Sequence, residues 1–289
     1  MQFGLIGIMD LCGVVHQIME KIMGLVGKKQ TLYQIDAFTD KIFSGNPAAV
    51  VPLDNWISEK YMQSIAMENN LSETAFIVKE NKNYSIRWYT PNGEVDLCGH
   101  ATLASAFTIF NYLEPNLQDI EFISKSGLLT VTKNKNELIM NFPKDIYKSF
   151  SKGRAQIQKI IGLNPQNILK GKDDILVILS SQSEVEKLKP NFELLTRLDC
   201  RGLVVSAQGE KYDFVSRCFY PKYGVDEDPV TGSAHCLLAP YWSEVLSEKK
   251  MSAYQLSYRG GKLICEVEKN RVKLSGTCAP YMIGEIRLD

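Results

Sequence analysis

The chain has 289 residues, of which 45% are apolar and 23% charged, the proportions of an ordinary soluble globular protein. Its 33 Lys and Arg balance 33 Asp and Glu, so no electrostatic footprint calls for nucleic acid or an anionic membrane surface. A small molecule or another protein is left as the expected partner.

Residues 1–27 are apolar but are interrupted by Asp10, His16, Glu20 and Lys21. No basic segment precedes the apolar run, and no unbroken stretch reaches the roughly 20 residues that a membrane-spanning helix needs. A weak helical face through Ile8, Val15, Ile18 and Ile22 would lie on the body or against another chain. An unstructured leader, or a true start at Met19 or Met23, accounts for the same residues. From Leu32 the pattern becomes regular. Tyr33 to Phe38 reads as a strand, Ser44-Gly45-Asn46-Pro47 as turn material and Ala48 to Val51 as a short buried strand. Ser58 and Glu59 cap a helix whose Tyr61, Met62, Ile65 and Ala66 follow helical spacing as far as Asn69-Asn70. Leu71-Ser72-Glu73 then leads into a strand from Thr74 to Val78, and Tyr84 to Tyr89 alternates as another.

A glycine loop at Gly99 opens a helix, Ala101 to Leu113, that is apolar almost all round and therefore predicted to be buried on most sides. After a break at Glu114-Pro115-Asn116 come strands at 120–122, 128–131 and 138–141, a helix near 156–161, and strands at 175–179, 202–206 and 214–219. A second glycine loop opens a helix from Ala234 to Leu246, and the tail from Leu256 is strand and turn. Seven cysteines, an odd count without a CxxC pair, predict free thiols in a reducing compartment, with the cytoplasm as the default.

Two stretches rhyme. Arg87-Trp88-Tyr89-Thr90-Pro91 runs on to Asp96-Leu97-Cys98-Gly99-His100-Ala101-Thr102, and Arg217-Cys218-Phe219-Tyr220-Pro221 runs on to Asp228-Pro229-Val230-Thr231-Gly232-Ser233-Ala234-His235. Each passes from an aromatic strand through a proline turn into a glycine loop that begins an apolar helix. The repeat predicts two similar halves with their loops facing across a cleft, and two of the three histidines sit in those loops.

Glu73, where a loop becomes a strand beside Leu71 and Phe76, reads as a partly desolvated carboxyl in surroundings poor in charge. Its pKa would rise, as a general acid/base requires; a strand-edge glutamate facing solvent is the plainer reading. Gly99 and Gly232 would let the backbone approach a ligand, with the open N–H groups of a helix start favouring a carboxylate or phosphate. A structural glycine before a helix is the alternative. His100 is the better acid/base candidate; His235 lies further into its helix and reads as a core histidine. Cys98 and His100 with His235 and Cys236 could imitate a zinc site, but their spacing does not aim them at one ion, and no metal is expected. Asp228, held extended by Pro229, could raise the pKa of Glu73 or orient His100, or be a turn aspartate. Cys98, before a glycine loop at a helix start, could have a lowered pKa, but the second loop carries no matching thiol.

These residues carry a resemblance. Asp36-Ala37-Phe38-Thr39 with Phe43-Ser44-Gly45-Asn46-Pro47, Ser72-Glu73-Thr74-Ala75-Phe76, Cys98 to Thr102, Glu227 to His235, and Arg259-Gly260-Gly261 together resemble the PhzF family of phenazine biosynthesis, in order, over residues 32–289. The resemblance implies an α+β fold like diaminopimelate epimerase, two pseudo-symmetric halves that are each a β-barrel-like sheet around a central helix. The halves would be 32–118 with the closing strand 279–289, and 119–278, leaving 1–31 as an extension outside the match. It implies Glu73 as the acid/base, His100 and Asp228 beside it, and Gly99, Gly232 and Ser233 as the substrate-binding residues. It also implies a reaction without metal or organic cofactor, and a homodimer. The phenazine enzyme moves a proton within the ring system of a dihydro-hydroxyanthranilate; family membership alone does not fix the substrate here.

The sequence therefore predicts a cofactor-independent isomerase of a small carboxylated metabolite. Two alternatives stand beside it: an amino-acid racemase or epimerase using Cys98 with Glu73, and a non-catalytic interaction protein on the same scaffold.

Overall fold

The structure is a computed structural model and describes residues 28–288; the expected N-terminal helical face lies outside the described residues. The first strands are β1 (Lys28–Ala37), β2 (Asn46–Leu53), β3 (Glu73–Glu80), β4 (Asn83–Thr90) and β5 (Gly93–Val95), with helix α1 (Glu59–Asn69) between β2 and β3. Ser58 caps α1 by accepting from the Tyr61 N–H, and Asn70 ends it in the left-handed conformation. β2 runs parallel to β3 with Ala48 opposite Glu73, so the starts of these two strands lie side by side.

After β5 comes helix α2 (Gly99–Thr108), prolonged by one π-helical turn, Ile109–Leu113. Nearly all of α2 is buried, as its apolar circumference predicts. Its Thr102, Ser105 and Thr108 hydroxyls are satisfied by the carbonyls of Cys98, Ala101 and Ala104 one turn back. The chain continues through β6 (Asp119–Ser124), β7 (Gly127–Asn134), β8 (Glu137–Pro143), β9 (Lys148–Ser149), α3 (Arg154–Ile161), β10 (Asn167–Lys170) and β11 (Ile175–Ile178). Two short helices follow, α4 (Gln182–Lys187) and α5 (Phe192–Thr196), then β12 (Leu203–Gln208), β13 (Phe214–Tyr220), β14 (Val225–Asp228) and α6 (Gly232–Leu246). The last strands are β15 (Lys250–Gln255), β16 (Gly261–Glu268), β17 (Arg271–Gly276) and β18 (Cys278–Leu288).

All 18 strands join one hydrogen-bonded network that mixes parallel and antiparallel pairs. β18 lies antiparallel along β1, from Lys28 opposite Leu288 to Ala37 opposite Cys278, and β8 pairs with β17. A central apolar cluster takes in Leu103 and Ala104 of α2, Leu237 and Trp242 of α6, and strand residues such as Trp88, Phe122 and Phe214. Smaller clusters lie under α1, around Met62 and Phe76, and under α3, around Ile157 and Val205. Two apolar helices buried among strands thus form the centre of a mixed helix and strand fold. Strands β5, β9, β10, β14 and β15 and helices α4 and α5 were not expected. They are short, and each helix starts at a side-chain cap, Ser181 or Asn191, ahead of too few apolar positions to show a period. Among the described residues no helix is long and apolar enough to cross a membrane, and Cys98, Cys200, Cys218, Cys236, Cys265 and Cys278 are free thiols.

Candidate active site

The starts of β2, β3, α2 and α6 converge. Glu73 opens β3, and His100 lies in the first turn of α2; Nε2 of His100 is 3.2 Å from Oε2 of Glu73. The two atoms are close without being well aligned, and neither has another hydrogen-bond partner among the described residues. Such a loose contact is common where catalytic groups await a substrate. Glu73 keeps 18% of its side-chain surface open, His100 only 6%.

Asn46, fully buried at the start of β2, ties the groups together. Its Nδ2 donates to Asp228 Oδ1 at 2.9 Å and to the Val230 carbonyl at 3.0 Å, and lies 3.1 Å from His100 Nδ1. Its Oδ1 accepts from the Ser72 hydroxyl at 3.0 Å. Asp228 also accepts from the Thr231 hydroxyl. Gln255 braces the same turn, donating to the Asp228 carbonyl at 2.6 Å and accepting from the Thr231 N–H at 2.8 Å. The loop before Asn46 is clamped by Arg259, which donates to Asp36 at 2.9 Å and to the carbonyls of Ser44 and Gly45 at 3.0 and 2.8 Å.

The two helix starts abut. A methyl group added to Gly99 would stand 3.5 Å from the Cα of Gly232, and one added to Gly232 would stand 3.5 Å from the Cα of Gly99. Neither Cys98 nor Thr231 caps its helix with a side chain. The first-turn N–H groups of both helices, which have no intrahelical acceptor, therefore open beside the Glu73–His100 pair.

Burial of His100 disfavours its charged form, whereas negative charge on Cys98 and Glu73 favours it, and the balance lies above the ordinary imidazole value. Burial pushes the Cys98 thiol up to about 11, so near neutrality it is uncharged and the remaining upward pull on His100 is that of Glu73. Burial also raises the Asp228 carboxyl to about 6, against the opposing effect of His100 and of its own hydrogen bonds. His235 is pushed down to about 4 by burial and stays neutral.

Residues 35–284 match the PhzC-PhzF family, described as phenazine biosynthesis-like protein. The chain belongs to this family. An uncharacterised isomerase of Pseudomonas aeruginosa is 46% identical over 256 residues, 89% of this chain and 98% of the relative. The crystal structure of a PhzF-family protein from Enterococcus faecalis superposes with a TM-score of 0.84 at 44% identity, covering 90% of this chain and all of the other. A predicted epimerase of Pseudomonas aeruginosa, 17% identical with a TM-score of 0.74 over 89% of this chain and 99% of the other, shares the fold. The 46% identical relative and a second from the same organism, 45% identical over 258 residues, carry the class name isomerase.

Within this PhzF-family site Glu73, His100 and Asp228 come together as the sequence suggested, with three amendments. Glu73 is not in surroundings poor in charge: its sequence neighbours are apolar, but the fold delivers His100 from α2. Asp228 reaches His100 through Asn46 and not by a direct bond. Cys98 runs opposite to the expected lowering of its pKa, because desolvation outweighs the helix start. Gly99 and Gly232 have ordinary backbone angles and give their missing side chains to each other, so close helix packing accounts for both. Ser233 stands at the start of α6, where its hydroxyl accepts from Arg201 at 3.1 Å. His235 donates through Nδ1 to the Thr231 carbonyl at 2.8 Å and, with Cys236, stands apart from the cluster. The three groups close enough to share an ion among the described residues are instead Glu73, Cys98 and His100, within 4.8 Å of one another. Asn46 and Gln255 were missed as site residues. Asn46 carried a signal, the Gly45-Asn46-Pro47 turn, whereas Gln255 is one polar residue in an unremarked strand.

Proposed function

We propose that the chain is a cofactor-independent isomerase that moves a proton on a small carboxylated metabolite by general acid/base catalysis. The observation that carries this reading is the Glu73–His100 pair, 3.2 Å apart, beside two abutting helix starts. Glu73 removes a proton next to an activating group and returns it at another carbon, so the atoms of the substrate are conserved and only a proton and a double bond move. His100 and Asp228 hold and tune that carboxyl. The N–H groups at Gly99, Gly232 and Ser233 take the substrate carboxylate or the enolate-like charge of the transition state, where fixed donors are worth most.

The same reading includes two half-domains, 32–118 with 279–289, and 119–278, each built around one of the buried helices. The return of β18 to β1 supports that division. A homodimer and a cytoplasmic location belong to it as proposals. The Cys98 racemase reading is not favoured, since a buried thiol near 11 is a poor base at neutral pH. A panel of small carboxylates incubated with the protein in heavy water tests the proposal. Deuterium uptake that Glu73→Gln abolishes supports it. Uptake that Glu73→Gln leaves intact, or uptake lost only in Cys98→Ser, overturns it.

A further inference from the structure

Asn46 does more than fill the core beneath the site. Its amide orientation is fixed by two acceptors, the Val230 carbonyl and the Asp228 carboxylate. The Val230 carbonyl can only accept, and it takes a hydrogen from Nδ2 at 3.0 Å. The Ser72 hydroxyl donates to Oδ1 at 3.0 Å. A flipped amide would set Oδ1 against the Val230 carbonyl and the Asp228 carboxylate, two acceptors. The two hydrogens of Nδ2 go to the Asp228 and Val230 oxygens, so Nδ2 offers His100 Nδ1, 3.1 Å away, no acceptor for a ring proton.

The other groups facing the ring agree. Cys98 Sγ lies 3.5 Å from the same Nδ1 and, as a neutral thiol, is a weak donor. On the far side of the ring Nε2 faces the Glu73 carboxylate at 3.2 Å, an acceptor. Asp228, the remaining ionisable neighbour, has its two oxygens engaged by Asn46 and Thr231. Asn46 thus offers Nδ1 no acceptor and Cys98 offers it a weak donor, whereas the neighbour of Nε2 is a strong acceptor. We infer that Asn46 is a positioning residue that keeps the ring proton of His100 on Nε2, pointed at Glu73.

The consequence is chemical. A ring with its proton on Nε2 gives Glu73 a fixed hydrogen-bond donor at one carboxylate oxygen and leaves the other for the substrate's proton. A ring with its proton on Nδ1 sets a lone pair against the carboxylate and repels it. A second proton would have to enter at Nδ1, where Asn46 offers it no acceptor, so Asn46 also opposes the charging of His100 that Glu73 encourages. The path Ser72 to Asn46 to His100 to Glu73 closes on itself, because Ser72 precedes Glu73 in the chain. One hydrogen-bonded ring thereby locks the start of β2 to the start of β3 and to α2.

Long-range proton–nitrogen correlation spectra of the ¹⁵N-labelled full chain, followed upward in pH until the ring is neutral, test the inference, with His100 signals assigned by their loss in His100→Gln. The expected wild-type pattern has a protonated Nε2 and a bare Nδ1. Asn46→Asp, which replaces the donor with an acceptor, is expected to move the proton to Nδ1 or to charge the ring. Glu73-dependent deuterium uptake should fall with it by about 10-fold or more, as when a catalytic imidazole loses its correct tautomer. A neutral wild-type ring protonated on Nδ1 overturns the inference, and so does an Asn46→Asp spectrum that matches wild type. Should Asn46→Asp fail to fold, the wild-type spectrum decides alone. Only the kinetic arm rests on the proposed proton transfer: a Glu73→Gln protein with undiminished uptake would sink that reading and leave the position of the ring proton where the spectrum finds it.

Discussion

In the first glycine loop Arg87 of β4 grips Glu94 of β5 through Nε and Nη2, both at 2.7 Å. In the second, Arg217 of β13 grips Glu227 of β14 in the same way, at 2.7 and 2.8 Å. Each fork stiffens a strand and its short return strand just before a helix begins at a glycine. Past that shared frame the loops part company. The first places His100 one residue after its glycine, against Glu73. The second places its histidine three residues after its glycine, where it bonds its own helix, and spends its carboxylate, Asp228, on the Asn46 amide. Matched frames thus carry unmatched side chains: one loop sets His100 against Glu73, and the other sets Asp228 against the Asn46 amide.

Glu73→Gln should break the division most severely. It keeps the shape beside His100 but removes the base, so turnover is expected to fall about 10²–10⁴-fold with an unchanged thermal unfolding midpoint. Equal losses in turnover and midpoint would make Glu73 a structural residue. The glycines come next. Gly99→Ala or Gly232→Ala alone puts one methyl at ordinary contact distance and should cost less than about 1 kcal/mol. The double variant puts two methyls where one fits and should cost about 1–3 kcal/mol more than the sum. Urea unfolding of all four proteins measures that coupling, and strict additivity would show that the helix starts can separate.

Asp228 sharpens the comparison through pH. Its pKa in the fold lies above the ordinary carboxyl value, so the fold favours the protonated form. That stabilisation is complete below about 4 and is lost as pH rises through about 6. Urea titrations between those values should show wild type losing on the order of 2 kcal/mol, a loss absent from Asp228→Asn. The smallest effect separates the two forks. Glu94→Gln leaves Arg87 the carboxylate of Glu59 at 2.7 Å, whereas Glu227→Gln leaves Arg217 only carbonyl partners. The second substitution is expected to destabilise by about 1 kcal/mol more than the first in chemical denaturation, and equal costs would show that the spare carboxylate contributes nothing.

The residues that a local pattern governs were legible in the sequence. Ser58 and the spaced apolar residues after it announced α1, the apolar run after Gly99 announced a buried helix, and Glu73 stood out at a loop-to-strand junction. What was not legible depends on partners far away in the chain. Glu73 looks isolated from charge until α2 brings His100 across. Gly99 and Gly232, 133 positions apart, look like ligand-approach glycines until each is found filling the space of the other's missing side chain. Asn46 reads as a turn residue because four of its contacts come from three separate stretches, at Ser72, His100, Asp228 and Val230. Arg87 and Arg217 were visible in the repeat, but their forks close only when β5 and β14 fold back.

The pairing of β18 with β1 has a consequence for the birth of the protein. During synthesis β1 emerges long before β18, yet among the described residues Lys28 to Leu32 have no strand partner except β18. The growing polypeptide must carry an open strand edge until β18 is made, a long-range closure that slows folding and leaves that edge exposed to other chains. A premature stop within β18 would do little to the nearby helix α6 and would instead unzip the opposite end of the molecule.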